Sequence, residues 1–334
     1  MTQLKDITDA LLLDLDGTVW ESGRAIAGAV EAIVASGVDA LYVTNNASRA
    51  PADVAQMLQA IGLKADSRQV VTSAQVAAEL AAQVSGSGAR ALVLGSPSFK
   101  QLAEDAGLVV VSGMEDPQGP PEVVLHGHNP ETGWAQLSEA ALALRAGARY
   151  IASNLDSSLP SDRGLMVGNG SMVAAVVSAT GISPTSAGKP EPAMFEAAAR
   201  SVGAQRPLAV GDRLDTDIRG GNNAQMPTLH VMTGVSRQRD LIAAPPQDRP
   251  TYLAADLGGL FDAPDSLRPQ PQGDFVAQVA PAGARVELRG GTGASTSMQA
   301  LRTVLGAVWA QDREAEWTVA ACSDAAERCI AEWS

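Results

Sequence analysis

Short apolar runs alternate along most of the chain with amphipathic segments of helical length. The run Ala10–Leu13 is entirely apolar and is followed at once by acids and a glycine, which is typical of a buried parallel strand. Segment 26–36 has helical spacing, and segment 40–44 is a second apolar run. The same alternation returns between residues 189 and 232. The pattern predicts an α/β fold built on a parallel sheet.

A turn-rich stretch, Ser85–Gly88, interrupts this alternation, and a second series of strands and helices continues to about Gly181. Because the first pattern resumes near Lys189, we predict one core domain made of residues 1–84 and 182–263. Residues 85–181 then form an α/β domain inserted into that core.

The last part of the chain has a different pattern. Residues 264–272 contain three prolines and no apolar period, so we interpret them as a linker. Residues 273–334 are predicted to form a small C-terminal α+β domain. It begins with a hairpin of segments 275–279 and 284–288 around Pro281–Gly283, and continues with helices over 299–309 and 319–333.

The 334-residue chain is acidic, with 24 Lys and Arg against 37 Asp and Glu and a formal net charge of −13. This balance argues against nucleic acid or an anionic lipid surface as a partner. No basic leader and no apolar run of the roughly 18 residues that span a membrane are present. Cys322 and Cys329 are interpreted as small apolar residues in a reducing compartment. We therefore expect a cytoplasmic protein without membrane insertion.

Acidic and polar residues follow the predicted strands of the core where each strand ends, which in a parallel sheet is the edge that binds ligands. Carboxylates are the ligands that Mg2+ prefers, while a lysine and amides suit phosphate oxygens. The combination predicts a magnesium-dependent phosphoryl-transfer site. Its residues are Asp14, Asp16, Thr44, Asn45, Asn46, Lys189, Asp212 and Asp217.

Four motifs occur in a fixed order along residues 8–262: DLDGT (14–18), VTNN (43–46), GKP (188–190) and GDRLDTD (211–217). Together they resemble the haloacid dehalogenase superfamily. The insert lies where phosphatases of that superfamily carry a C2-type cap. The resemblance implies a Rossmann-like parallel-sheet core, an inserted α/β C2 cap that selects the substrate, and an enzyme that hydrolyses phosphoric monoesters.

The resemblance also implies roles for these residues. Asp14 would be the nucleophile that forms an aspartyl-phosphate, and Asp16 the general acid and base. Mg2+ would be held by Asp14, the main-chain carbonyl of Asp16 and Asp212, and Asp217 would order the waters of the ion or Lys189. Lys189 would also stabilise the intermediate. The phosphate-binding residues would be Thr44, Asn45, Asn46 and Lys189.

Candidates for contact with the leaving group lie in the inserted domain. They are Arg163, Asn169 and Asp156, although a loop arginine is often only solvated and Asn169 also fits a turn before a helix. His126 and His128 are interpreted as ordinary histidines rather than metal ligands. Asp215 is interpreted as a solvated residue at a helix start.

The stretches 43–48 and 163–175 and the appended C-terminal unit are similar to those of actinobacterial glycerol-3-phosphate phosphatases. This resemblance implies sn-glycerol 3-phosphate as the substrate and a part in glycerophospholipid recycling. Phosphoglycolate, pyridoxal phosphate or a nucleotide are alternative substrates, and a dehalogenase, a phosphomutase or a non-enzymatic binding scaffold are alternative functions. The partner is expected to be a small phosphorylated metabolite, and a homo-oligomer is left open.

Overall fold

The structure is a computed structural model that describes residues 2–161, 163–280, 283–311 and 315–333. The strands, in chain order, are β1 (Ala10–Leu13), β2 (Trp20–Glu21), β3 (Arg24–Ala25), β4 (Asp39–Thr44), β5 (Val70–Thr72), β6 (Arg90–Leu94), β7 (Val109–Val111), β8 (Val123–His126), β9 (Arg149–Ala152), β10 (Ser158–Ser161), β11 (Gly164–Val167), β12 (Thr185–Ser186), β13 (Pro207–Gly211), β14 (Thr228–Val231), β15 (Tyr252–Ala254), β16 (Phe275–Val279), β17 (Arg285–Gly290) and β18 (Thr318–Ala321).

The α-helices follow the same order. They are α1 (Ala29–Ser36), α2 (Pro51–Ala60), α3 (Ser73–Ser85), α4 (Pro97–Asp105), α5 (Trp134–Arg145), α6 (Asn169–Thr180), α7 (Ala193–Val202), α8 (Arg219–Asn223), α9 (Gln238–Ala243), α10 (Pro264–Leu267), α11 (Ser297–Trp309) and α12 (Asp324–Ile330). The predicted α/β alternation is confirmed.

The chain divides into two compact units. We call residues 1–40 together with 202–334 the flanking unit, and residues 41–201 the central unit. Among the described residues, none of the helices has the length and apolarity needed to cross a membrane.

Parallel strands form the sheet of the flanking unit. Strand β1 pairs with β13, β13 with β14, and β14 with β15, all in parallel. Every residue of β1 and β14 is buried, and β1 is accordingly apolar throughout, whereas β14 also carries the polar residues Thr228 and His230. In the β1–β13 register Leu13 lies opposite Val210, so both strands end at the same edge of the sheet.

The C-terminal segment belongs to the flanking unit. The predicted hairpin is confirmed as the antiparallel pair β16–β17, although turn residues 281 and 282 lie outside the described residues. The predicted helix over 319–333 is wrong in its first part. Residues Thr318–Ala321 instead form β18, parallel to β17, and the Ser323 hydroxyl then accepts a hydrogen bond from the Ala326 N–H and caps α12.

Apolar side chains of this segment share one core with the rest of the flanking unit. Leu301 and Leu305 of α11 are fully buried and belong to the same cluster as Leu241 of α9 and Leu214 and Ile218. The guanidinium of Arg302 also donates hydrogen bonds of 3.0 and 2.6 Å to the carbonyl of Leu253 on β15. The segment interpreted as a linker begins with α10, whose Leu267 is fully buried.

The central unit contains a five-stranded parallel sheet in the order β12-β9-β8-β6-β7 and the parallel pair β4–β5. Helix α4 starts at a proline after the Ser96 side chain, which accepts a hydrogen bond from the Phe99 N–H. Side chains of β6, β8, α5 and α6 form a separate apolar cluster. The antiparallel hairpin β10–β11 was not predicted, because its residues follow no clear period of two.

Candidate active site

Three carboxylates meet at the carboxyl edge of the sheet in the flanking unit. Asp14 follows β1, Asp212 follows β13, and Asp217 lies in the π-helical turn Leu214–Ile218. Each offers one oxygen that lies within 4.8 Å of the others. All three residues are buried, with exposed fractions of 8%, 0% and 1% in that order. Buried carboxylates that lie this close repel one another when charged, so we expect the three of them to bind a cation.

Close backbone approaches hold these carboxylates in place. A Cβ atom at Gly17 or at Gly234 would collide with the carboxylate of Asp212, so glycine is required at both positions. The Val235 N–H donates a 2.6 Å hydrogen bond to Asp212 Oδ2. The Arg213 N–H donates one of 3.1 Å to Asp217 Oδ2. Fixed, buried carboxylate oxygens are a donor set that suits a hard divalent cation such as Mg2+.

Asp16 and Asp215 lie outside this cluster. Asp16 is exposed, and its Oδ1 accepts a 2.9 Å hydrogen bond from the indole N–H of Trp20. Trp20 is a residue that sequence reasoning missed, since nothing in its spacing indicates an anchor for an acid. Asp215 is exposed and forms an ion pair of 3.4 Å with Arg213, as expected of a solvated residue.

His230 lies beneath the cluster and was also missed. Its Nε2 lies 3.0 Å from the carbonyl of Asp212, and the side chain is fully buried on β14. Burial lowers the pKa of His230 to about 4, so the ring is neutral at neutral pH and Nε2 carries its proton toward that carbonyl. His230 thereby fixes the main chain of a predicted metal ligand.

The central unit brings together the predicted phosphate-binding residues. Thr44 ends β4 and is buried, and Lys189, 3% exposed, donates from Nζ to the carbonyl of Val43 at 3.1 Å. The side chain of Asn45 accepts from the Lys189 N–H at 2.8 Å and donates to the Lys189 carbonyl at 3.1 Å. The Asn46 Oδ1 accepts from Ser48, so that side chain stabilises a local turn.

The three candidates for leaving-group contact have different surroundings. Both carboxylate oxygens of Asp156 lie 3.3 Å from Asn45 Nδ2. Asn169 is buried, and its Nδ2 donates to the carbonyls of Asn154 and His126. Arg163 is exposed between β10 and β11. The structure therefore places Asp156 beside a predicted phosphate-binding residue and Asn169 in a buried position where its amide bonds to two main-chain carbonyls.

His126 is buried at the end of β8. Its Nδ1 lies 2.9 Å from the hydroxyl of Tyr150. Burial lowers the pKa of His126 to about 4 and raises that of the Tyr150 hydroxyl. A neutral histidine paired with a tyrosine agrees with the interpretation of His126 as an ordinary core residue.

Comparison with known proteins agrees with this geometry. Residues 11–109 match a model of the family described as haloacid dehalogenase-like hydrolase, and residues 186–260 match one described as HAD-hydrolase-like. The chain is 42% identical to the D-glycerol 3-phosphate phosphatase of Mycobacterium tuberculosis over 90% of this chain and 86% of the relative. It is 36% identical to the acid sugar phosphatase of Staphylococcus saprophyticus over 74% of this chain and 95% of the relative.

Solved structures extend the likeness to three dimensions. The crystal structure of the glycerol phosphate phosphatase from M. tuberculosis in complex with magnesium has a TM-score of 0.94 and 40% identity, covering 100% of this chain and 99% of that chain. A structure of the same protein in complex with calcium has the same TM-score. The chain belongs to the haloacid dehalogenase-like hydrolases. Within that family it is a phosphatase, as the resemblance implied.

The buried side chain of His126 makes the free energy of unfolding sensitive to acid. An unfolded histidine titrates near 6.5, whereas His126 titrates near 4 in the folded chain. Between these pH values the unfolded chain binds a proton that the folded chain excludes. The free energy of unfolding is therefore expected to fall by about 3 kcal/mol from this residue as the pH drops through that window, with no contribution above it.

The measurement is denaturant unfolding at several pH values for the wild type and for His126→Gln. We expect a shallower loss of stability between pH 6.5 and 4 in the variant. Tyr150→Phe keeps the buried histidine and should keep the steeper dependence. If the free energy of unfolding fell equally steeply with pH in His126→Gln and in the wild type, His126 would not be the source of the acid sensitivity.

Proposed function

We propose that this phosphatase hydrolyses sn-glycerol 3-phosphate to glycerol and phosphate through an aspartyl-phosphate intermediate. The observation that carries the reaction type is the buried cluster of Asp14, Asp212 and Asp217. The substrate rests on the likeness to the M. tuberculosis glycerol phosphate phosphatase, which extends over the whole chain.

The proposed reaction has two steps. A carboxylate oxygen of Asp14 attacks phosphorus, the bond from phosphorus to the ester oxygen breaks, and Asp16 gives its proton to the leaving alcohol. Water then attacks phosphorus in the aspartyl-phosphate, and Asp16 takes the proton of that water. Phosphate leaves and the Asp14 carboxylate is restored. The hydrogen bond from Trp20 supports this role because it orients the Asp16 carboxylate.

In this proposal the residues that bind the phosphate group belong to the central unit. Thr44, the Asn45 and Asn46 amides and Lys189 would hold the phosphate oxygens, and Lys189 would offset their charge. The buried position of Lys189 and its anchoring to Val43 support this role, since a fixed ammonium needs no reorganisation during the reaction.

Mg2+ is the cofactor, and Asp14, Asp212 and the main-chain carbonyl of Asp16 would hold it. Asp217 is proposed to order the waters of the ion or Lys189, and one of its carboxylate oxygens lies within 4.8 Å of those of Asp14 and Asp212. When bound, Mg2+ offsets the repulsion between these carboxylates and an anionic substrate.

The inserted residues 85–181 are proposed to act as a C2-type cap that selects the leaving group, with Arg163, Asn169 and Asp156 as candidate contacts. The core would then be residues 1–84 and 182–263, followed by the segment 264–272 and a C-terminal domain of residues 273–334. We place the enzyme in the cytoplasm and its reaction in glycerophospholipid recycling, and a homo-oligomer is compatible with the proposal.

A sugar phosphate is the second candidate substrate, favoured by the likeness to the acid sugar phosphatase. That match covers 74% of this chain at 36% identity, whereas the sequence match to the D-glycerol 3-phosphate phosphatase covers 90% at 42% identity. The longer match supports glycerol 3-phosphate as the first choice.

A phosphate-release screen with Mg2+ tests the substrate. We expect glycerol 3-phosphate to give the highest kcat/KM in a panel with sugar phosphates, phosphoglycolate, pyridoxal phosphate and nucleoside monophosphates. A higher kcat/KM for any other ester would overturn the substrate choice. Lack of release from every ester, including p-nitrophenyl phosphate, would reject the hydrolase reaction.

Replacement of the nucleophile tests the mechanism. Asp14→Asn removes the attacking carboxylate with little change of shape, so kcat/KM should fall at least about a thousandfold while circular dichroism stays unchanged. The matched control is Asp215→Asn, which neutralises an exposed acid of the same acidic motif and should leave most of the activity. An Asp14→Asn enzyme with wild-type turnover would rule out Asp14 as the nucleophile.

A further inference from the structure

Asn154 connects the inserted domain to the predicted phosphate-binding residues of the central unit. It follows β9 and is only 4% exposed. Its Nδ2 donates a 2.7 Å hydrogen bond to the main-chain carbonyl of Asn45. Its Oδ1 accepts a 3.2 Å hydrogen bond from the Asp156 N–H, and its own carbonyl accepts one of 2.8 Å from Asn169 Nδ2. The side chain therefore has one donor and one acceptor bond, each to a different segment.

Asn45 in turn forms hydrogen bonds with Lys189. Its side-chain amide bonds to both the main-chain N–H and the main-chain carbonyl of Lys189, so the position of Asn45 helps to set that of the lysine backbone. The residue before the lysine packs against the same loop. A Cβ at Gly188 would lie 2.6 Å from the Ser153 carbonyl, 2.8 Å from Asn45 Oδ1 and 2.9 Å from the Asn154 Cβ.

We infer that Asn154 is a positioning residue for Lys189 and acts through Asn45. The inference rests on the proposed role of Lys189 in binding phosphate. Under this inference the inserted domain helps to position a phosphate-binding residue, in addition to selecting the leaving group. The bond that matters is the donation to the Asn45 carbonyl, because that bond alone links Asn154 directly to the residue holding the lysine.

Substitutions separate the two hydrogen bonds of the Asn154 side chain. Asn154→Asp keeps an oxygen to accept from the Asp156 N–H, but places a carboxylate against the Asn45 carbonyl in place of the donor. Asn154→Ala removes both bonds. If the side chain only folded its own loop, the Asp variant would behave as the wild type.

Asn129 offers a matched control in the same unit. Its Nδ2 donates to the carbonyl of Gly95 at 3.0 Å, and its Oδ1 accepts from the Glu131 N–H at 3.0 Å. Asn129→Ala and Asn129→Asp thus remove the same kinds of hydrogen bond without touching Asn45 or Lys189. We expect both control variants to keep wild-type kinetics.

The experiment measures kcat and KM for glycerol 3-phosphate and p-nitrophenyl phosphate, and the equilibrium affinity for inorganic phosphate with Mg2+ present. We expect both Asn154 variants to lower kcat/KM by about tenfold to a hundredfold for both esters, and to bind inorganic phosphate more weakly. The equal effect on both esters is the signature of a displaced phosphate ligand.

Wild-type kinetics and phosphate affinity in Asn154→Asp would overturn the inference, as would a loss confined to one ester with unchanged phosphate affinity. Phosphate affinity does not depend on turnover. A wild type that hydrolyses neither ester would therefore count against the proposed function, while the phosphate measurement would still decide the role of Asn154.

Discussion

Repulsion among three buried carboxylates is the constraint on which the rest of the site depends. Asp14, Asp212 and Asp217 are held together by the ends of adjacent parallel strands and by one π-helical turn. Glycines 17 and 234 leave room for the Asp212 carboxylate, since a Cβ atom at either position would collide with it. A divalent cation relieves the repulsion, and it also lets a chain of net charge −13 accept an anionic substrate.

The central unit contains a buried lysine side chain. Lys189 is almost fully enclosed, and hydrogen bonds to Val43 and Asn45 set its position. An ammonium held in a fixed position can stabilise charge on a bound phosphate without reorganising during the reaction, and this is the role that we propose for Lys189. We propose that the hydrogen bond from Asn154 to the Asn45 carbonyl helps to hold Lys189 in that position.

Much of the fold and part of the site could be predicted from local sequence. Strands β1 and β13 are apolar runs that end in acids, and the rule that parallel strands end at one edge brings Asp14 and Asp212 together. Strand β18 was missed because it is only four residues long and partly exposed, so its pairing with β17 decides its conformation. Trp20 and His230 could not be predicted, since each makes a hydrogen bond whose partner no periodic pattern indicates, and the hydrogen-bond partner of Asn154 is equally hidden in the sequence. The bond from Asn154 to Asn45 joins residues 109 positions apart.

Calorimetric titration of the metal-free protein with Mg2+ tests the central claim most directly, because it measures whether the carboxylate cluster binds a cation without requiring turnover. We expect the wild type to bind Mg2+ at one site, and we expect this binding to be lost or much weakened when Asp212→Asn removes one of the three charges. Binding of Mg2+ with equal affinity by the wild type and Asp212→Asn would contradict the account.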